Sequence, residues 1–364
     1  MEVVLERNDI SQVEVVATGQ PSLGDDQVLV KVVKNALTSN VVSYATAPSY
    51  LRYFDFFPSF GSKVSVPSWG IAEVVESKNK SIKVGERIYG FLPFRQYVVL
   101  TASTVKPDMF LDVADQKAEL PQIYNSYNRL DAGFDDFYDK KYEDLMILMR
   151  PLFFTSWLLR DFAEQELGGP GDVILMSASS KTAYSLAYLL KSSTKGPTNV
   201  IGLTSPRNEA FVRGLGVYDT VLVYDEIGDL KPSNKPTMVI DMAGNAPLAE
   251  RIKSIITQAI CVLVGSTHKE EAAKGDKYPG DFFFAPKQGV VVSKRMGGSA
   301  FNKQVASDYK QFIQDVEANG WCKIQNRNGP EASAQAFREM LSAKKVEPDQ
   351  GLVLSMWEDE CARL

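Results

Sequence analysis

Short apolar runs that alternate with helical segments are the feature of the sequence that most constrains its fold. From Gly171 onward the runs occupy residues 173–176, 200–203, 221–224, 238–241 and 260–264. Helical stretches at 182–191 and 209–215 separate the first three of them. Short apolar strands that alternate with helices predict a parallel sheet covered by helices on both faces. The sequence therefore predicts an α/β fold with a Rossmann-type, doubly wound sheet.

The N-terminal part of the chain has a different pattern, in which glycines separate short strands. The strand-like runs lie at 27–34, 71–76 and 94–100, with Gly70, Gly85 and Gly90 beside or between them. This pattern predicts a small β-barrel. Residues 101–150 are rich in Asp, Tyr and Asn, and they predict a long excursion with some helix from about Tyr142.

A chain of 364 residues has room for one or two domains, and the two patterns predict two. The first is a barrel domain of residues 1–150 with 291–364, in which about 101–150 is a long insertion. The second is a Rossmann domain of residues 151–290. Helices at 302–318 and 331–344 and a last strand at 351–355 complete the prediction.

The composition disfavours several classes of partner. The formal net charge is -5 and basic residues are scattered, so no nucleic-acid partner is expected. The sequence has no apolar run long enough to span a membrane, and its start lacks the features of a signal peptide. Cys261, Cys322 and Cys361 are too sparse for a disulfide framework, which favours a reducing, cytoplasmic location.

Hydrolytic and zinc chemistry are also disfavoured. His268 is the only histidine, the cysteines are far apart, and neither fits the paired ligands of a zinc site. A Ser-His-Asp triad would have to use His268, and the sequence has no G-x-S-x-G nucleophile motif.

The first strand of the Rossmann pattern ends in a candidate phosphate loop. It reads S-A-S-S-K-T over 177–182, and a helix follows at once. The usual G-x-G-x-x-G is absent, but helix-terminal N–H groups, hydroxyls and one ammonium can still hold a pyrophosphate. The alternative interpretation is an ordinary serine N-cap followed by an exposed lysine.

The second strand ends in a tip that favours NADP(H). An acidic residue near this point holds the ribose diol in NAD-preferring sites, whereas this tip carries Ser205 and Arg207, which suit a 2′-phosphate. Glu209 is predicted to lie in the first turn of the next helix. The missing acid also argues against an S-adenosylmethionine site. The alternative for Arg207 is a solvated loop residue.

The fourth and fifth strands end in small residues at 241–245 and 265–268. Small residues there allow a nicotinamide ring to approach the backbone. His268 follows the fifth strand, where it is either a general acid or a contact of the cofactor. The alternative is a structural loop histidine with local hydrogen bonds.

These patterns resemble the medium-chain dehydrogenase/reductase superfamily, in its zinc-free form. The stretches P-S-W-G-I-A-E-V-V-E-S and K-V-G-E-R-I-Y-G are similar to its GroES-like barrel signature, and 202–219 is similar to its second βα unit. Within the superfamily the chain most resembles domain-of-unknown-function family 2855. The strings that carry this resemblance lie at 53–58, 121–127, 150–156, 177–187, 241–245, 265–268 and 282–286.

The resemblance implies NADP(H) as cofactor and assigns residues to it. The implied contacts are Ser179, Ser180, Lys181 and Thr182 for the diphosphate, Ser205 and Arg207 for the 2′-phosphate, and Thr155, Ala243, Gly265, Ser266, Thr267 and Phe284 on the nicotinamide side. The zinc ligands of the superfamily do not carry over, because the segment after the barrel strand reads L-T-S-N over 37–40.

A zinc-free member must polarise its substrate through hydrogen bonds. The candidate donors are Asn40, Tyr44, Tyr53, Tyr124, Tyr127 and His268. For each tyrosine the alternative is a packing role with a surface hydroxyl. Trp69 is interpreted as structural.

The sequence thus favours an NADPH-dependent, zinc-independent reductase of an activated C=C or C=O in a hydrophobic small molecule of enoyl, quinone or ketone type. The alternatives are a non-catalytic NADPH-binding sensor or scaffold protein and, less favoured, a methyltransferase. Dimers are common among similar proteins, so a homodimer is one expectation. The expected partner is otherwise a small-molecule substrate, without nucleic acid or membrane.

Overall fold

A computed structural model describes residues 1–46, 48, 52–131, 133, 135–195, 199–231, 234–265, 278–342 and 346–358. The chain divides into two units, one of residues 1–148 with 322–364 and one of residues 149–321. Within the described residues, no helix has the length and apolar character needed to cross a bilayer.

The strands of the first unit are β1 (Glu2–Glu6), β2 (Asp9–Val16), β3 (Gln27–Leu37), β4 (Lys63–Ser65), β5 (Pro67–Ser77), β6 (Arg87–Pro93), β7 (Tyr97–Ser103), β8 (Met109–Asp112), β9 (Ser126–Arg129), β16 (Lys323–Asn328) and β17 (Gln350–Ser355). Those of the second are β10 (Asp172–Met176), β11 (Asn199–Thr204), β12 (Thr220–Val223), β13 (Thr237–Asp241), β14 (Ile260–Leu263) and β15 (Asp281–Phe282).

The α-helices are α1 (Ser39–Thr46), α2 (Glu143–Leu167), α3 (Lys181–Ser192), α4 (Glu209–Gly214), α5 (Ala246–Ile255), α6 (Ala285–Met296), α7 (Gly298–Ala318) and α8 (Pro330–Leu341). Shorter 3₁₀ turns include Tyr53–Asp55, Gln122–Asn125 and Pro206–Asn208.

The first unit contains a closed barrel. Its strands follow the order β3-β5-β6-β9-β8-β7, and pairing of β7 with β3 closes the ring. One edge of the long strand β3 pairs with β5 and the other is shared by two strands, because residues 27–31 pair with β7 whereas residues 35–37 pair with β17. Closure leaves these strands without a free edge, which is the property that defines a barrel. The predicted GroES-like barrel is confirmed.

The segment at 101–150 is more ordered than the sequence indicates. The sequence predicts an excursion, whereas the segment supplies β8 and β9 to the barrel, and its helix α2 begins at Glu143. Phe110 and Tyr127, one on each strand, are fully buried and stack at 5.5 Å. Strands of four residues are too short to show a readable alternation.

The second unit is built on one parallel sheet with the order β12-β11-β10-β13-β14-β15. Counted within this unit the order is 3-2-1-4-5-6, which is that of a doubly wound dinucleotide-binding sheet. The two central strands β10 and β13 are buried at every position. A strand covered on both faces reads as a continuous apolar run, which is why the sequence predicts it well.

The predicted boundary at residue 290 is wrong, because α6 and α7 belong to the second unit. Helix α7 packs on α2 through Phe312, whose ring lies 4.9 Å from that of Phe153. The indole Nε1 of Trp157 also donates to a carboxylate oxygen of Asp308 at 2.8 Å. An amphipathic pattern shows that a helix has a buried face, but not which domain covers that face.

A charged cluster at the start of α2 links three elements of the first unit. The Glu143 carboxylate accepts hydrogen bonds from both terminal nitrogens of Arg87 on β6 and from the hydroxyl of Tyr138 at 2.8 Å. The ammonium of Lys34 on β3 lies 3.1 Å from it. Burial raises the pKa of Glu143. The hydrogen bonds from Arg87 and Tyr138 and the charge of Lys34 lower it by more than burial raises it, and the resulting pKa is about 2.

Because this pKa is depressed from an ordinary value of 4.5, the cluster stabilises the fold fully above pH 4.5 and loses that effect as the pH falls towards 2. The shift sets a ceiling of about 3 kcal/mol, and solvent around the ion pairs reduces it to about 1–2 kcal/mol. We expect Glu143→Gln to be less stable than the wild type by this amount near neutral pH, and nearly equal to it near pH 2. Urea unfolding at several pH values measures the difference. The exposed Glu76→Gln is the control, and a difference that did not vary with pH would contradict the assignment.

Candidate functional site

The carboxyl ends of the central strands of the second unit lie at one edge of the sheet. Met176 at the end of β10 is level with Asp241 at the end of β13, and Asp241 is level with Leu263 on β14. The strand order reverses between β10 and β13. Doubly wound sheets bind their ligands outside this edge, at the point of reversal. The candidate site is therefore formed by the loops that follow these strands.

The loop after β10 makes a left-handed turn without glycine. Ser177 has a φ of 57°, a backbone conformation that favours glycine, and Tyr224 hydrogen-bonds with it. Ala178 is fully buried; its N–H donates to the carbonyl of Leu203 at 2.9 Å, and its carbonyl accepts from the hydroxyl of Tyr218 at 2.7 Å. These bonds hold the loop in its turn.

Helix α3 begins directly after this loop. The hydroxyl oxygen of Ser180 accepts from the N–H of Ala183 at 3.2 Å and so caps the helix. Lys181 and Thr182 form its first turn, and both are half-buried. Ser180 is thus an N-cap, as the alternative interpretation holds, but Lys181 is not fully exposed. A capped helix terminus with an ammonium in its first turn offers N–H donors and positive charge to a phosphate.

The tip of the second strand is bonded to the phosphate loop. The amide Nδ2 of Asn208 donates to Oγ of Ser179 at 3.0 Å, so the two loops form one surface. Arg207 beside it is exposed, and Ser205 is half-buried. Glu209 begins α4 as predicted, and its carboxylate pairs with Arg213 at 2.8 Å. The acid that follows this tip most closely in the chain is therefore already engaged with a cation.

Sequence reasoning missed Ser177, Asn208 and Tyr218. The phosphate loop was found from its position after the first strand, but a left-handed φ at Ser177 has no signature in the sequence. The Asn208–Ser179 bond joins residues that are distant in the chain, so no local spacing predicts it. A glycine at position 202 is a sequence signal for a close approach, and the structure shows that an added Cβ there would lie 2.8 Å from the Tyr218 ring.

A buried carboxylate fixes the loop after β13. Asp241 is fully buried and accepts from the N–H groups of Ala243 at 2.8 Å, Gly244 at 2.9 Å and Asn245 at 2.7 Å. The backbone of Gly265 approaches this loop closely, because a Cβ there would lie 2.6 Å from the Met242 carbonyl oxygen. The structure thus brings the predicted contacts Ala243 and Gly265 together at the sheet edge.

The remaining predicted cofactor contacts have fewer links to the loops at the sheet edge. Oγ1 of Thr155 donates to the carbonyl of Pro151 at 3.1 Å inside α2. Its neighbour Ser156 donates to the Thr182 carbonyl at 2.8 Å, which places this turn of α2 beside the first turn of α3. Phe284 is half-buried and precedes α6. Ser266, Thr267 and His268 lie outside the described residues.

The other predicted donors lie in the first unit, and they differ in how deeply their side chains are buried. Tyr127 is fully buried, its hydroxyl donates to the Phe91 carbonyl at 2.9 Å, and burial raises its pKa well above the ordinary value. Tyr53 is buried in the same way, and its hydroxyl donates to the Pro67 carbonyl. Both rings pack the barrel, so we do not carry them forward as proton donors.

Tyr44, Tyr124 and Asn40 are placed differently. Tyr44 on α1 is half-buried, and its ring lies 5.5 Å from that of Tyr53. Tyr124 is 7% exposed and packs 5.0 Å from Phe91. Asn40 at the start of α1 accepts a hydrogen bond from the hydroxyl of Thr38. Of these three, Tyr44 and Asn40 retain the larger access to solvent.

The family model described as Protein of unknown function (DUF2855) matches residues 35–345. Because this match covers most of the chain, the protein belongs to that family. The resemblance drawn from short strings of the sequence, from 53–58 to 282–286, is thereby confirmed. No curated protein sequence matches the chain significantly.

Solved structures share the fold over nearly the whole chain. The NADPH complex of CurA from Vibrio vulnificus is 12% identical, with a TM-score of 0.63 and coverage of 97% of this chain and 98% of that one. The NADP complex of the yhdH oxidoreductase from Salmonella enterica is 14% identical, with a TM-score of 0.57 and coverage of 97% and 99%. The quinone oxidoreductase from Coxiella burnetii is 16% identical, with a TM-score of 0.55 and coverage of 97% and 98%. The predicted combination of a barrel and a doubly wound sheet is the fold of these proteins.

Proposed function

We propose that this protein binds NADP(H) at the carboxyl edge of its parallel sheet and reduces an activated C=C or C=O in a hydrophobic small molecule. The observation that carries the proposal is the joined surface of the two loops. There the capped terminus of α3 with Lys181 adjoins, through the Asn208–Ser179 bond, a tip that carries Arg207. CurA and yhdH, which share the fold, were crystallised with NADPH and NADP.

The donor set fits a phosphorylated dinucleotide. Ser179, Ser180, Lys181 and Thr182 would hold the diphosphate, because hydroxyls, helix N–H groups and an ammonium all favour an anion. Ser179 accepts from Asn208, so its own O–H proton remains available to a phosphate oxygen.

The tip of the second strand favours the 2′-phosphate form of the dinucleotide. Ser205 and Arg207 would hold this phosphate, and Glu209 would not compete for a ribose diol because Arg213 engages it. On the nicotinamide side we propose the backbone of Ala243 and Gly265, with Thr155, Phe284, Ser266 and Thr267 as further contacts.

The bound cofactor would supply the hydride, and the protein would polarise and protonate the acceptor. We propose Asn40, Tyr44 and Tyr124 as donors for this purpose, with His268 as a further candidate. An amide or phenol that donates to a carbonyl oxygen stabilises the negative charge that develops there during reduction. Such donors would replace a metal ion, and the Thr38-Ser39-Asn40 segment after β3 contains neither thiol nor imidazole. We therefore propose a zinc-independent reaction.

Cofactor binding tests the proposal most directly. We expect NADPH to raise the melting temperature of the purified protein. We also expect the fluorescence of NADPH to change when protein is added, and this change to saturate at a stoichiometric ratio. Oxidation of NADPH with enones, quinones or ketones would establish an enzyme. Saturable binding without turnover over that panel would favour a sensor or scaffold, and binding of S-adenosylmethionine in place of NADPH would contradict the proposal.

Two properties of the whole molecule belong to the same proposal. A cytoplasmic location fits the buried thiol of Cys261, because a reducing compartment keeps such a thiol reduced. We also propose a homodimer, which sedimentation of the purified protein would test.

A further inference from the structure

Six aromatic side chains of the first unit form one connected group, which we call the aromatic cluster. Its members are Tyr44, Tyr53, Trp69, Tyr89, Phe91 and Tyr124. Trp69 on β5 is paired in register with Phe91 on β6, and the two rings lie 5.5 Å apart. The Trp69 ring also stacks on Tyr89 at 5.4 Å with an interplanar angle of 15°. The cluster is thus a continuous group of packed rings rather than a set of isolated ones.

Burial is uneven across this cluster. Tyr53, Phe91 and Tyr89 are at most 3% exposed and form its base, whereas Trp69 and Tyr44 are only half-buried. The Trp69 ring contacts Tyr89 and Phe91 and lies 5.8 Å from that of Tyr124, yet it is only half-buried, so part of the indole stays open to a further planar partner. Aromatic rings prefer offset stacking with other planar π-systems, and such contacts add affinity beyond the apolar area that they bury.

The polar atoms of the two half-buried rings are unpaired in the described part of the protein. Trp157 and Trp357 donate their indole N–H groups to Asp308 and to the Val32 carbonyl, at 2.8 Å and 2.7 Å. Among the described residues, the N–H of Trp69 has no acceptor, and neither does the hydroxyl of Tyr44. In the described part of the protein neither donor is a buried atom that lacks a partner, and both side chains are half-buried, so solvent reaches the two donors. They can therefore donate to a ligand.

We propose that Trp69 is the stacking residue of a substrate site on the first unit, and that this site selects planar, conjugated carbonyl compounds. The ring system of the substrate lies against the indole, and the hydroxyl of Tyr44 donates to a carbonyl oxygen. This inference rests on the proposed reductase function and narrows its substrate class. It replaces the structural role that the sequence indicates for Trp69. Aliphatic enones lack the extended π-system and gain little from the indole.

The experiment compares two acceptors in the NADPH-dependent reaction, naphthoquinone as the planar probe and methyl vinyl ketone as the aliphatic one. Trp69→Leu is expected to raise the KM for naphthoquinone about tenfold and to leave that for methyl vinyl ketone within about twofold. Trp69→Phe keeps a ring and should recover most of the loss. Equal losses for both acceptors, or no loss for either, would overturn the proposal.

A second measurement reads the site without hydride transfer. Naphthoquinone is titrated into the protein in the absence of NADPH, and tryptophan fluorescence is followed. We expect saturable quenching that Trp69→Leu abolishes and that the buried Trp321→Phe control retains. Persistence of the quenching in Trp69→Leu would refute the assignment. Because this readout needs no cofactor, a failure of the proposed NADPH function is distinguishable from a failure of the substrate site.

Tyr44→Phe tests the hydrogen-bonding part of the proposal with minimal disturbance of packing. It removes one hydroxyl and keeps the ring that contacts Tyr53. We expect kcat/KM for naphthoquinone to fall about five- to tenfold while the saturable quenching remains, since the indole surface is intact. An unchanged kcat/KM would exclude Tyr44 as the donor.

Discussion

Arg207→Ala is expected to weaken NADPH binding by about 1–3 kcal/mol, which is roughly five- to 150-fold in Kd, and to leave NADH binding nearly unchanged. The guanidinium would donate charged hydrogen bonds to the 2′-phosphate, which NADH lacks. Arg207 is exposed at the tip after β11, so its removal opens no cavity and should not disturb the fold. Fluorescence titration of both cofactors at low ionic strength measures the two affinities.

The control for this prediction is Arg251→Ala. Arg251 is an exposed arginine of the same unit on α5, so its removal changes the net charge equally without touching the tip. It should leave both affinities unchanged. An equal loss of NADPH and NADH in Arg207→Ala, or an equal effect of the two substitutions, would show that Arg207 acts only through long-range charge.

The parts of the fold that are buried on both faces were predictable from the sequence. Strand β10 is predicted at 173–176 and observed at Asp172–Met176, and helix α3 is predicted at 182–191 and observed at Lys181–Ser192. Burial on both faces imposes an unbroken apolar run, and a helix with one buried face imposes a spacing of three to four residues. Both signals are local in the chain, so no knowledge of tertiary contacts is needed to read them.

The parts that depend on distant contacts were not predictable. Strands β8 and β9 are short, and their place in the barrel depends on pairing with each other and with β7 and β6. The assignment of α7 to the second unit depends on which helix covers its apolar face. A pattern records that a face is buried, whereas the partner of that face is set by the whole topology.

The candidate site shows the same division. The positions of the phosphate loop and of Arg207 follow from strand ends, which the sequence predicts. The backbone conformation of Ser177 and the bond between Asn208 and Ser179 depend on dihedral angles and on loops meeting in space. Among the predicted tyrosines, only the structure separates the buried Tyr127 from the half-buried Tyr44, since both occur in mixed polar and aromatic segments.

Asp241→Asn is expected to lower the free energy of unfolding by about 2–4 kcal/mol. The Asp241 carboxylate is fully buried and accepts three backbone N–H bonds, from Ala243, Gly244 and Asn245. An asparagine offers one acceptor oxygen, and its NH₂ group would face an N–H that has lost its partner. A buried donor without an acceptor costs about 1–3 kcal/mol, and loss of the charged hydrogen bonds adds to this. Urea unfolding followed by circular dichroism measures the loss.

The matched control is Asp225→Asn, the same chemical change at an exposed position of the same unit. It should alter stability by less than about 0.5 kcal/mol, as surface substitutions usually do. If the free energy of unfolding fell by the same amount in both variants, the three hydrogen bonds would not account for a stabilising effect of Asp241. Because these bonds also fix the loop that approaches Gly265, the folded fraction of Asp241→Asn should bind NADPH more weakly than the wild type. Unaltered affinity in that fraction would mean that Asp241 stabilises the sheet edge without positioning the cofactor.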